Sequence, residues 1–239
     1  MNEEESDIEL VPPTKDRVVR RAWAIAAVTC RAFLEISDNP HEAAAIHSRL
    51  LAWIDTVGLH SELEPAELEM IETELGELDQ RATTNGTWRA EGLVVLAWAL
   101  GKAEIPPHDR ISNPYEVSDS IYFLSQDALN LSKNLRLREP EELAEFSEQQ
   151  LGLHWRIRDY SLTPQEMDFR KFATKTWFGT MSLKGIPLAD DDLAINGMPI
   201  SVAPESEFQL CQSIAMERHQ AINWLDGWDE IYSQVDTST

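Results

Sequence analysis

Residues 87–101 read Thr-Trp-Arg-Ala-Glu-Gly-Leu-Val-Val-Leu-Ala-Trp-Ala-Leu-Gly, and the run from Leu93 to Leu100 is apolar on every side of a helix. A helix with no polar face belongs at the centre of a bundle. From Thr87 to Leu100 it rises roughly 21 Å at about 1.5 Å per residue, short of the roughly 30 Å hydrocarbon thickness of a bilayer. The stretch therefore predicts a buried core helix closed by Gly101, and the rest of the chain should supply helices to surround it.

Upstream, Thr14 caps a helix running to about Ile36, with Val18, Ala22, Ile25, Thr29 and Phe33 along one face. Asn39-Pro40 opens a second, whose row Ala43, Ile46, Leu50, Ile54, Val57 ends at Gly58. A third starts at Pro65 as an amphipathic surface helix with Leu68, Ile71, Leu75 and Leu78 on a narrow stripe and carboxylates elsewhere. Downstream of a polar connection from Lys102 through Pro106-Pro107 to Pro114, helical patterns recur at about 118–131, 140–160, 164–180 after a Thr163 cap, and 205–225 before Gly227. Asn196-Gly197 between two short alternating runs marks a β-hairpin near 193–200, with Pro199 confining its strand to an edge. The expected fold is all-α: a helical bundle over residues 13–239 with a central buried helix and one ornamental hairpin, behind an acidic tail at 1–12.

Forty-two acidic against 20 basic residues give a formal charge of −22 over 239 residues. That field repels phosphate backbones and anionic lipid and attracts basic proteins. Direct nucleic-acid and membrane binding are thus disfavoured. An acidic start with no apolar leader, and two cysteines, Cys30 and Cys211, inside apolar helical rows, fit a cytoplasmic protein with reduced thiols. No phosphate-cradling loop, GxSxG elbow or HExxH pair occurs, so no cofactor and no metal are expected. Asp190-Asp191-Asp192 reads as a solvated loop rather than a cation site.

Two charges fall in apolar rows. In the last helix Arg218 stands in the series Phe208, Cys211, Ala215, Arg218, Ile222, Leu225, and in the central helix Glu91 stands in Trp88, Glu91, Val95, Trp98. A buried charge without a partner costs several kcal/mol, which points to an ion pair between them. On the helix with the row Leu143, Phe146, Gln150, Leu153, Ile157, His154 sits at the rim with Arg158 one turn on, and His219 adjoins Arg218. Glu91, His154, Arg158, Arg218 and His219 form either a structural network or a small active site with acid, base and anion clamp. The structural reading leads, because such networks gather charges without chemistry.

The stretches Trp88-Arg89-Ala90-Glu91 running into 96–101, His154-Trp155-Arg156-Ile157-Arg158-Asp159, Asp192-Leu193-Ala194-Ile195 and Glu217 to Leu225 resemble the bacterial family labelled domain of unknown function 4272, over nearly the whole chain. The resemblance implies no activity, substrate or cofactor. With no catalytic motif, the expected function is a non-enzymatic acidic module that occludes a basic protein, for instance an immunity protein or inhibitor of a toxin, through Glu67, Glu69, Glu74, Glu77, Glu141 and Glu145. The alternatives are an enzyme or small-molecule binder around Glu91, His154 and Arg218, and, last, a nucleic-acid mimic.

Overall fold

The computed structural model describes residues 10–177 and 179–239. Helix α1 (Lys15–Glu35) is capped by the Thr14 side chain, and α2 (Pro40–Val57) by Asn39, with Gly58 left-handed at its end. Short α3 (Pro65–Glu72) precedes the central α4 (Gln80–Ala99). Then come α5 (Pro114–Ser120), α6 (Ala128–Leu131), α7 (Pro140–Leu162), α8 (Phe169–Ala173) and α9 (Glu205–Asp226). Three strands, β1 (Leu188–Ala189), β2 (Asp192–Ile195) and β3 (Met198–Pro199), form one small antiparallel sheet in that order. Helix α4 packs against α1 on one side and α9 on the other, and α7 packs on α9. Leu93, Val95, Leu96, Ala97 and Ala99 of α4 are fully buried, so the stretch that reads as a core helix is one.

The apolar interior falls into two clusters. One gathers α1, α2 and α4 with Ala221, Ile222, Trp224 and Leu225 from the C-terminal half of α9. The other gathers Leu153 and Ile157 of α7, Phe169, Leu193, Ile195 and Ile200 with Phe208, Cys211 and Ala215 from the N-terminal half of α9. Glu217, Arg218, His219 and Gln220 lie between the two halves, all buried. The last helix thus carries a polar seam through the middle of an apolar body.

Several segments expected as helix are not. The third helix stops at Glu72, because the irregular 73–78 segment is pinned to α1: Arg31 donates to the Thr73 and Glu74 carbonyls, and the Glu35 carboxylate accepts from the Gly76 and Leu78 amides. Helix α4 begins earlier than expected, at Gln80, where the Asp79 side chain caps Ala82 N–H. The pattern at 118–131 breaks at Tyr122 and Leu124, both left-handed, while the flanking Ile121 and Ser125 carbonyls accept from the buried indoles of Trp23 and Trp53 at 2.9 Å each. The run expected at 164–180 reduces to α8, capped by Asp168.

The hairpin forms where Asn196-Gly197 predicts it, with both residues at positive φ and Ile195 paired to Met198. Pro199 lies on the outer strand, where its missing N–H leaves no gap in the ladder. A second tight turn, Asp190-Asp191, joins β1 to β2. The sheet is no ornament, since Leu193 and Ile195 are wholly buried in the second cluster. Of the acidic tail, residues 1–9 lie outside the described ones; Val11 and Pro12 run directly over Gly227, where a Cβ would collide with their backbone.

Candidate functional site

The Glu91 and Arg218 charges meet. Arg218 donates from Nε and Nη2 to Glu91 Oε2 at 3.0 and 2.8 Å, and the two residues are 2% and 1% exposed. Glu91 Oε1 accepts from the Ser112 amide and hydroxyl at 2.7 and 3.0 Å. The remaining N–H groups of Arg218 go to the carbonyls of Pro106, Pro107 and Arg110 at 2.8, 3.2 and 2.9 Å. All five donors of the guanidinium are thereby used, and both carboxylate oxygens are occupied. The cluster fastens the proline-bearing connection to α4 and α9.

His154 and His219 also meet, but with each other: their Nδ1 atoms lie 2.8 Å apart. One ring donates and the other accepts, so the two neutral rings hold opposite tautomers at these positions. Burial pushes His154 down to about 4, helped by the Arg158 charge, and pushes His219 down to about 3, helped by His154. Both imidazoles are uncharged at neutral pH. Arg158 is half-buried beside them and forms no salt bridge with a described residue. The five residues therefore divide into a saturated ion pair, a closed imidazole pair and a neighbouring cation.

Other buried arginines carry no signal in the apolar rows. Arg156, wholly buried, grips Asp192 through two 2.7 Å bonds, Asp159 at 2.7 Å and the Gln165 carbonyl at 2.9 Å. Asp192 is thus a partner of Arg156, while Asp191 pairs with exposed Arg170. Arg21 binds the Glu62 carbonyl, Glu64 and Glu67. Glu67 is consequently withdrawn from the surface set in which its helical position places it. Glu69, Glu74, Glu77, Glu141 and Glu145 are exposed, with Glu145 paired to Lys184 at 2.8 Å.

Two clefts accompany these networks. A cavity of about 440 Å³ lies beside the seam, walled by Trp98 and Phe146, the 104–108 segment, Gln149, Gln150 and Leu153 of α7, Gly185, Pro187 and one edge of Arg218. Glu91, His154 and His219 do not line it, so the acid and base of the five-residue set never reach that space together. The residues that do reach it, Gln150 and His108, were legible only in part: Gln150 stands in an apolar row of α7, while His108 sits in the irregular connection without any periodic signal.

A groove of about 550 Å³ runs where α1 ends, α2 begins and α5 crosses. Phe33, Ile36, Ile46, Tyr115 and Phe123 form its apolar lining, and Asp38, Glu42 and Asp119 join them, with Arg49 the one lysine or arginine among the lining residues. Tyr115 and Ile36 are exposed, and the Thr29 hydroxyl beneath is buried without a partner. The 73–78 segment, fastened to the last turns of α1 by Arg31 and Glu35, carries exposed Glu74 and Glu77 beside this end of the molecule.

No described helix is long and apolar enough to cross a membrane, and no group of three metal-ligating side chains occurs among the described residues. No curated protein and no solved structure matches the chain. One family does, over residues 2–170. That span includes Glu91, His154, Arg156 and Arg158 and stops before Asp192, Arg218 and His219, so it covers one side of each buried pair. On that match the chain belongs to the family described as a domain of unknown function, DUF4272.

Proposed function

We propose that the protein is a binding module that seats a basic protein partner at the C-terminal end of α1. The observation that carries this reading is that the buried charges are consumed inside the protein: every N–H of Arg218 and both carboxylate oxygens of Glu91 are bonded to each other, to Ser112 or to the backbone, and His154 and His219 are joined through their Nδ1 atoms. The acidic excess stays on the outside, where Asp38, Glu42 and Asp119 are exposed along an apolar groove. An apolar socket inside an acidic margin complements a basic surface bearing an aliphatic or aromatic side chain. Charge steers the encounter and the socket supplies the anchor. Inhibition of a basic toxin or enzyme by occlusion is one use of such a surface.

Cross-linking of the tagged full-length chain, followed by mass spectrometry of the links, tests it. The expected result is a basic partner linked to 36–46 or 115–119, held less tightly as salt rises. Its affinity should fall at least tenfold in Asp38→Lys/Glu42→Lys/Asp119→Lys. A partner that cross-links elsewhere, or whose binding ignores both salt and charge reversal, overturns the reading.

A further inference from the structure

We propose that the cavity between α4, α7 and the 104–108 segment is a binding site for a small uncharged planar molecule that carries a hydrogen-bond donor next to an acceptor, the edge shared by nucleobases and ring carboxamides. The site stands apart from the docking groove and does not depend on it.

Its centre is Gln150. The residue is 3% exposed, lines the cavity, and its carboxamide makes no hydrogen bond with any described residue. With no partner inside the protein, the carboxamide keeps its hydrogen-bonding groups available to whatever fills the cavity. A carboxamide offers one acceptor and two donors in a plane, a pattern that pairs two-pronged with an adjacent donor and acceptor, as it does on the edge of adenine. Gln149 lies one position away on the same helix and also lines the cavity.

His108 adds a fixed acceptor. Its Nε2 lies 2.8 Å from the Ala194 carbonyl, which can only accept, so the proton sits on Nε2 and Nδ1 holds a lone pair. Burial lowers the affinity of this ring for a second proton. The walls are apolar: Trp98 and Phe146 pack on each other, centroids 4.6 Å apart, and with Ile105, Pro106 and Leu153 line the cavity. A volume of about 440 Å³ lies within the roughly 300–1,000 Å³ range of small-molecule sites.

The charge of the ligand follows from what is already used. Arg218 reaches the cavity, yet all its N–H groups are bonded inside the protein, so it offers no clamp for a carboxylate or phosphate. Glu104 lines the same space and the chain carries −22, both of which repel anions.

Ligand-observed NMR and thermal shift with adenine, nicotinamide, benzoate and naphthalene as probes test the proposal on the full-length chain. Adenine or nicotinamide should bind at millimolar concentration or better and raise the unfolding temperature, while benzoate should not bind. Gln150→Leu should weaken the successful probe at least tenfold and leave naphthalene unaffected. Adenine alone succeeding marks a nucleobase site, and nicotinamide alone a carboxamide site. Should Gln150→Leu fail to fold, a crystal of the unaltered protein soaked with the better probe must place that probe on the Gln150 carboxamide. Failure of both polar probes, equal binding of benzoate, or equal affinity for the Gln150→Leu chain overturns it.

Discussion

Arg218 and Glu91 are held by more than each other, and that sets the order of their mutational costs. Glu91→Gln leaves the guanidinium buried without its counter-charge, a loss of about 3–5 kcal/mol. Arg218→Met should be at least as damaging, because Pro106, Pro107 and Arg110 lose their donor as well. Arg218→Lys should not rescue it, since a single ammonium cannot reach the four acceptors that the planar guanidinium bonds. Urea unfolding midpoints decide, and an Arg218→Met protein more stable than Glu91→Gln would contradict the account. Gly92 makes a second case: a Cβ there would run into the Tyr232 hydroxyl, which is buried and without a partner. Gly92→Ala is expected to destabilise by about 1–3 kcal/mol through overpacking, and adding Tyr232→Phe should recover part of it in the same measurement. The ion pair was legible because both charges interrupt apolar rows with period 3.6. Arg156 was not, because Arg156 and Asp192 come from elements whose meeting no local pattern announces.

The His154–His219 contact joins α7 to α9 and makes that packing pH-sensitive. Their native values of about 4 and about 3 lie below the ordinary value near 6.5, so the unfolded chain takes up protons first as the pH falls. Stability should therefore be full above about pH 6.5 and decline from there toward about pH 3, at roughly 1.4 kcal/mol per pH unit of difference for each ring. In His154→Leu/His219→Leu the slope of unfolding free energy against pH should flatten over that window; unchanged slopes would remove the pair from the account. A parallel argument holds for the sheet and α8. Arg156 ties α7 to Asp192 of β2 and to Gln165, while Asp192 accepts from the Met167 amide. Asp192→Asn is expected to speed hydrogen exchange at 165–173 and 192–199 by tenfold or more while leaving α1 and α4 protected. Helix starts at Thr14, Asn39 and Pro140 and stops at Gly58 and Gly227 were readable because caps act within one turn. The breaks at 73–78, 121–127 and 163–168 were not, since distant indoles, guanidiniums and a carboxylate capture their backbone groups.

Taken as one body, the molecule draws four arginines into its interior. Arg21, Arg31, Arg156 and Arg218 are almost wholly buried, each bonded to backbone carbonyls of an irregular segment and to a carboxylate. The planar guanidinium suits this work, since one side chain can satisfy several carbonyls that no helix or sheet pairs. At the surface, steering of a basic partner by the excess acid should weaken steeply with ionic strength, because the Debye length falls from about 10 Å at 0.1 M to about 3 Å at 1 M. Association rates measured by stopped flow across that range should drop at least tenfold while dissociation changes little.

Composition, periodicity and capping chemistry alone settle that this chain is a helical bundle built on residues 87–100 with a two-residue hairpin turn at 196–197, because those signals are local and act over a turn or two. They also settle its acidity. The folded state decides which charges are consumed and which remain available. Arg218 is consumed by three carbonyls, two histidines close on each other, and Gln150 is left unpaired against a cavity, because each of those outcomes depends on groups brought together from more than 40 positions apart.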